Sequence, residues 1–505
     1  MLAMVCTVQL MMVRMSLSMA LVCMVDPSHH HHRHNTTFET SHQNNQKLVN
    51  ADAICPQQSD NINIEQLHIG EFNWSKSTQG QLLCSYFYGY ILGIYAGGVA
   101  TDRWGGRLFM LLSIGTMAIT NFILPTAANT HHRALYAVRV IQGLAEALGL
   151  NAHQYLLTRW GTNQDLSLLT GLSYAGFPLG VMIIHPLVSS LCLHGPWGGW
   201  PSVFYLLGGL GAVWTLVASL FLHDSPSSHP YVTPAEIQYF RQYSQRINTN
   251  VRGIVKWKSL VGSSAVWALL ATSAFSSFGY FTFTLHQPLF LRDVFGLSID
   301  QNGIMSSILW VLELPVSLGV GIVVDALRRN RASLTLTKKI CNTIGLVLAG
   351  VTPIVVVEVE WCGWRGLAAA ALALVVVGNC MSFVGGYYYT PVDLVPSCAA
   401  TLSGLASTFI GLNGLLAPIL VAWLTPTGSR DEWKTVFWVS GGTYLLGALV
   451  FLVWGSADPV PWAVPSHAKH RLTSLEVYDE RREGSEEQPE DRIGDMVQER
   501  KVDSV

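Results

Sequence analysis

Apolar residues run through the chain in blocks of about twenty, set apart by short polar stretches. A helix that crosses a bilayer needs about 20 mainly apolar residues. Twelve blocks reach that length. The first six are roughly 2–25, 79–99, 107–126, 133–157, 167–191 and 200–223. The second six are roughly 264–291, 302–324, 337–358, 364–389, 398–422 and 433–455. The pattern predicts an all-α membrane protein of twelve transmembrane helices in two pseudo-symmetric six-helix bundles. The bundles are 1–223 and 263–455, joined by a polar linker, 224–262. The first block lacks a basic leader and is interrupted by Arg14, so it reads as a retained helix and not as a cleaved signal. Residues 456–505 are acidic and poor in apolar side chains, which predicts a disordered tail.

Composition narrows the class. Half of the 505 residues are hydrophobic and 12% are charged, against about 25% in soluble domains. A net charge of -2 supplies no basic field for nucleic acid. Loop charges set an orientation. With the N-terminus inside, twenty lysines and arginines fall on the cytoplasmic side and eight outside, as the positive-inside rule requires. Both termini are then expected in the cytoplasm, and residues 26–78 face outward or into a lumen. Two glycosylation sequons lie there, at Asn35 and Asn73. The run His29 to His32 with His34 reads as a solvated loop. The nine cysteines show no CxxC and no zinc-ligand spacing, so no metal or cofactor is expected. Cys6, Cys23, Cys84, Cys341 and Cys380 fall in apolar stretches, as small hydrophobes would. Cys55, Cys192 and Cys362 fall in external loops and are candidates for a disulfide.

The chain repeats itself. Gly98-Val-Ala-Thr-Asp102-Arg103-Trp-Gly105-Gly106-Arg107 lies between spans two and three. Gly321-Ile-Val-Val-Asp325-Ala-Leu-Arg328-Arg329 lies between spans eight and nine, with the same Gly-to-Asp spacing. Trp200-Pro-Ser-Val-Phe204 opens span six and Trp433-Lys-Thr-Val-Phe437 opens span twelve. Two halves with matching landmarks are the signature of a repeat-built transporter. Gly98 is expected to let helices approach closely. Asp102, at a helix end, is expected to pair with a cytoplasmic arginine and to hold the halves together in one state, a contact that rocking breaks.

Ionisable residues within spans are costly, about 2.5–3.5 kcal/mol on insertion scales, and mark pathways. Arg14 lies in the first span. Arg139, Gln142, Glu146 and His153 lie in the fourth. Steps of seven put Arg139, Glu146 and His153 along one helix face. Arg139 and Glu146 are then about 10 Å apart along the axis, too far for a tight pair on one straight helix. Each is free to serve a ligand or a group on another helix. One reading is an anion site: a guanidinium grips a carboxylate or phosphate bidentately. Desolvation disfavours a bare carboxylate, so Glu146 is a candidate proton carrier, with His153 as a relay. The other reading is a buried ion pair that locks helix one to helix four. Glu313, before Pro315 in span eight, is a second-rank candidate without an evident partner.

The loop at Gly98 resembles the G-x-x-x-D-R-x-G-R-R motif of the major facilitator superfamily, with Gly106 at a basic position. Other segments are similar to the anion-transporter family of sialin, the vesicular glutamate transporters and the type I sodium–phosphate transporters. These are Arg14-Met-Ser-Leu-Ser-Met-Ala-Leu-Val, Ser85-Tyr-Phe-Tyr-Gly89-Tyr90, Val138-Arg139-Val-Ile-Gln-Gly143-Leu-Ala-Glu146, Gln287-Pro288 and Asp393-Leu-Val-Pro396. The resemblance implies that Arg14 contacts the anion and that Glu146 takes part in proton coupling. The chain departs from the vesicular glutamate transporters at Leu83 and Ser276, where they carry a histidine and an arginine.

The sequence thus predicts a secondary active transporter and no enzyme, since HExxH, GxSxG and P-loop motifs are absent. Its partners are a small anion and the lipid bilayer. An organic carboxylate, such as an acidic sugar or acidic amino acid, is expected to bind Arg14 and Arg139 and to move with H+ by alternating access in a lysosomal, vesicular or plasma membrane. Sodium-coupled phosphate transport is the alternative within the family. A non-transporting receptor or scaffold is the alternative outside it.

Overall fold

The computed structural model describes residues 2–25, 70–161, 166–196, 199–234, 236–238, 257–329, 333–359, 365–395 and 399–460. Among these, the only β-contact is an isolated parallel bridge between Val25 and Phe72. The rest is built from helices. The first half holds α1 (Leu2–Met24), α2 (Lys76–Trp104), α3 (Gly106–Thr130), α4 (His132–Trp160), α5 (Leu166–Tyr174), α6 (Gly176–His194) and α7 (Trp200–Phe221). The second half holds α8 (Ser264–Phe295), α9 (Ile299–Val311), α10 (Glu313–Arg329), α11 (Leu334–Glu358), α12 (Arg365–Gly385), α13 (Ala399–Leu424) and α14 (Arg430–Trp454).

Among the described residues, eleven spans are long and apolar enough to cross a membrane. The helix that completes the set is α4, which is 29 residues long but carries Arg139, Gln142, Glu146, Asn151 and His153. Spans five and eight are each broken once, as α5/α6 and α9/α10. The cause is local. A helical proline clashes with the carbonyl four residues earlier. Pro178 and Pro315 each stand four residues after the last residue of the preceding piece, Tyr174 and Val311. Caps fix other ends. Ser298 and Ser429 form reciprocal capping boxes with Gln301 and Glu432.

The two halves pack alike. In the first, α2 lies on α4, α4 on α3, α3 on α7, and α1 on both α6 and α7. In the second, α10 lies on α12, α12 on α11, α11 on α14, and α8 on both α13 and α14. Between halves, α2 meets α13 and α6 meets α9, two contacts that the pseudo-twofold axis exchanges. This is the arrangement that repeat-built carriers use to rock about a central site.

The face on which the 26–78 segment begins and ends is the loop face; the opposite one is the linker face. The halves are latched on the loop face. Lys76 of α2 meets Asp293 of α8 at 2.6 Å, and Arg292 meets Asp293 at 3.0 Å. The Arg292 guanidinium also donates to the Val22 carbonyl at 3.5 Å. α2 also meets α13 through the hydroxyls of Tyr95 and Thr408.

Several expectations change. Cys23 forms a disulfide with Cys192, joining the loop-face ends of α1 and α6. Cys23 is therefore not a lone apolar thiol, and Cys192 lies within α6 and not in an external loop: both stand in the last turn of their helices, where two apolar blocks end side by side. Cys55 and Cys362 lie outside the described residues, as do Asn35 and the histidine run. The packed region continues past 455: Ala457 donates its N–H to Thr335 Oγ1 at 2.9 Å, and Val460 donates to the Leu394 carbonyl at 3.0 Å. The tail beyond 460 lies outside the described residues.

Candidate functional site

The site begins with small residues. Gly89 and Gly93 of α2 face Gly143 and Ala147 of α4 at helical spacing. A Cβ on Gly89 would stand 1.8 Å from the Val140 carbonyl oxygen, and one on Gly143 would stand 1.8 Å from that of Tyr86. A Cβ on Gly93 would come within 2.6 Å of Ala147 Cβ. Only glycine permits backbones this close. The approach carries Glu146, on the same helix, against Tyr86 of α2.

Glu146 is fully buried, and Arg14 of α1 is 8% exposed. Arg14 Nε donates to Glu146 Oε2 at 3.0 Å, and Nη2 lies against Oε1 in an ion pair. The Tyr86 hydroxyl donates to the same Oε2. The carboxylate thus meets two nitrogens of a guanidinium, one through a charge-assisted hydrogen bond, and accepts from a phenol as well. Aromatic rings close around the cation. The guanidinium carbon lies 5.1 Å from the Tyr90 ring centroid, 5.7 Å from that of Phe87 and 5.9 Å from that of Tyr86. Rings at these distances favour a cation.

Arg139 comes close but turns elsewhere. It is 1% exposed. Its Nη1 donates to the Val13 carbonyl at 3.3 Å and to Gln142 Oε1 at 3.0 Å, and its Nη2 donates to the Arg14 carbonyl at 3.2 Å. Its guanidinium lies 4.6 Å from the Tyr86 ring. Gln142 passes the network on to Asn121 of α3 at 3.3 Å. Arg139 therefore holds the α1 backbone at the two residues that set the direction of Arg14. His153 lies one heptad beyond Glu146, fully buried, with its ring against Tyr174 at 5.5 Å. Neither ring nitrogen has a hydrogen-bond partner among the described residues.

The loop motif is arranged differently from the expectation. Close approach is made by Gly97, whose Cβ would meet Asn151 Nδ2 at 2.8 Å. Gly98 would make only an ordinary contact, at 3.7 Å, and Gly321 would meet nothing within 4 Å. The stripe Gly89, Gly93, Gly97 keeps the four-residue step that packs on α4, and Gly98 falls one position off it. Asp102 and Arg103 are exposed, and Asp102 has no ion pair among the described residues. Arg103 lies over Trp104 at 5.3 Å. The acid that holds the motif is Asp224, just past α7. It accepts the Arg107 N–H at 2.7 Å and lies under Gly105, whose φ of 92° excludes side chains that would fill that space. Arg107 Nη2 donates to the Ser219 carbonyl at 2.7 Å. Asp325 and Arg328 lie on α10, their side chains outside the described set. Asn73 is exposed, while Ser75 of its sequon caps α2 by accepting from Thr78 N–H at 3.2 Å.

Sequence reasoning missed Tyr86, Tyr90 and Asp224. The first two stand in the Ser85–Tyr90 segment already singled out, and the glycine stripe is the signal that points them at α4. Asp224 has no local signal, since it acts across more than a hundred residues.

Residues 61–418 match the Major Facilitator Superfamily. An uncharacterized transporter of Caenorhabditis elegans, slc-17.2, is 31% identical over 471 residues, 92% of each chain. Sialin of Ovis aries is 28% identical over 461 residues, 91% of this chain and 88% of its own. Among solved structures, a bacterial homolog of the human lysosomal transporter Spinster superposes with a TM-score of 0.62 at 15% identity, covering 91% of this chain and 98% of that one.

Proposed function

The chain belongs to the major facilitator superfamily and, within it, to the anion-transporter family of sialin, the vesicular glutamate transporters and the phosphate cotransporters, and from that premise we propose that it carries an organic anion together with a proton by alternating access. It is a multi-pass membrane protein and, like the superfamily at large, not an enzyme. The observation that supports the reading is the buried Arg14–Glu146 pair, held by Tyr86 between α1 and α4.

The chemistry follows from competition for one cation. Removing a single partner of a buried ion pair leaves an uncompensated charge and costs about 3–5 kcal/mol. An anion that takes Arg14 from Glu146 would strand the carboxylate. A proton on Glu146 removes that cost and releases the guanidinium at the same moment. Anion and proton therefore bind together and travel together. Arg139 positions Arg14 through the α1 backbone and does not grip the substrate itself. His153, on the same helix face toward the linker side, lies on the proton's route. With the loop face luminal, the Lys76–Asp293 latch closes the luminal side. The membrane is that of an acidic vesicle or lysosome, where a proton gradient is available.

The test is flux in proteoliposomes. Glu146→Gln should retain anion exchange and lose accumulation driven by a pH gradient. Accumulation at wild-type level in that variant refutes the coupling role. Replacement of Na+ by an impermeant cation should leave uptake unchanged; loss of uptake would establish sodium coupling instead.

A further inference from the structure

A second carboxyl, Glu313, lies near the middle of the spanning stretch Ile299–Val324. The function above leaves it unused. Its position is fixed by the internal repeat. Glu313 stands eight residues before Gly321, and Tyr90 stands eight residues before Gly98, in the matching loop motifs of the two halves. The helices that bear them pack alike, α2 on α4 and α10 on α12. Glu313 is thus the pseudo-symmetric counterpart of Tyr90, whose ring lies 5.1 Å from the Arg14 guanidinium. The twofold that brings Tyr90 to the central site from one half brings Glu313 to the same depth from the other.

The surroundings agree. The Glu313 carbonyl accepts from Cys380 Sγ of α12 at 3.6 Å, which seats the residue against its own bundle. Tyr280 of α8 lies within electrostatic reach of both Glu313 and Arg14. The Tyr280 ring meets Trp310 edge-on at 6.4 Å, and Trp310 donates its indole N–H to Gln287 Oε1 at 3.1 Å. The Glu313 carboxylate has no ion pair among the described residues. A carboxylate within the membrane needs a partner or a ligand.

We infer that Glu313 is the cation-reading pole of the central site, so that the preferred anion also bears an ammonium or quaternary ammonium group. Its carboxylate or other acid faces Arg14, and its cationic group faces Glu313. This rests on the transport reading above and narrows its substrate class.

The test uses matched pairs in proteoliposomes: aspartate against succinate, glutamate against glutarate, neuraminate against N-acetylneuraminate. The wild-type chain should favour the amine-bearing member of at least one pair by about tenfold or more in kcat/KM, as a site built for a polar group discriminates against its absence. Glu313→Gln should reduce that preference to about unity, and Glu313→Asp, which keeps the charge, should retain it. The inference is overturned if the wild type shows no preference for an amine in any pair, if Glu313→Gln keeps the preference, or if that variant loses both members equally. Arg14→Ala separates the two readings: it should abolish uptake of both members, and uptake of both at wild-type rates refutes the transport role of Arg14 and leaves the Glu313 result to be judged by the preference alone.

Discussion

Tyr86 and Arg14 share one oxygen of Glu146: the phenol donates to Oε2, and the guanidinium Nε donates to the same atom at 3.0 Å. Two donors on one oxygen fix the carboxylate between α1 and α2, and losing one leaves the guanidinium as its remaining partner. A hydrogen bond to a charged group contributes about 1.5–3 kcal/mol. Tyr86→Phe should therefore loosen the pair and lower pH-driven uptake by about tenfold or more, with a folded transporter throughout. Uptake measured across a range of external pH checks this; an unchanged profile removes Tyr86 from the coupling group.

Arg14→Lys should not rescue Arg14→Ala. The Glu146 carboxylate meets two nitrogens of a planar fork, and an ammonium offers a point charge on a flexible stem. Uptake of the preferred anion should fall to near background in both variants, while both remain monodisperse in detergent. Restoration of uptake by lysine would show that charge alone suffices.

Gly143→Ala should act on folding and not on coupling. The added Cβ would meet the Tyr86 carbonyl at 1.8 Å. Relief requires α2 and α4 to separate, and overpacking of this kind costs about 1–3 kcal/mol. A lower melting temperature in detergent is expected. Gly209→Ala, where nothing lies within 4 Å, should melt as the wild type does.

The latch makes a conformational prediction. Lys76 and Asp293 belong to opposite halves, both nearly buried. Asp293→Asn should loosen the loop face and raise the labelling rate of a cysteine placed at Leu83 by an impermeant thiol reagent, by about tenfold for each 1.4 kcal/mol removed from the latch. An unchanged rate would mean that the aromatic and glycine contacts along α2 and α13 close that face without it.

Much of the fold was legible in the sequence because membrane spans are written as uniform apolar blocks. Glycine-to-aspartate landmarks such as Gly98–Asp102 and Gly321–Asp325 mark the two halves. What was not legible is which polar residues within the spans meet. Arg14 and Glu146 are 132 residues apart, and only the Gly89–Gly143 contact decides that α4 comes near enough for them to pair. Arg139 looked equivalent to Arg14 from composition, yet the α1 carbonyls engage it. The break at Leu312 follows from Pro315, but the depth at which Glu313 emerges requires the repeat to be superposed in space. Cys23 was misread because an apolar block does not show where its helix ends.

In the proposed cycle, anion binding transfers Arg14 from Glu146 to the substrate and places a proton on Glu146. The most direct measurement is proton uptake on anion binding, obtained by calorimetry of the purified transporter in buffers of different ionisation enthalpy. The wild-type chain should take up about one proton per bound anion, and Glu146→Gln should bind the anion with none. Equal proton uptake in both proteins would contradict the account.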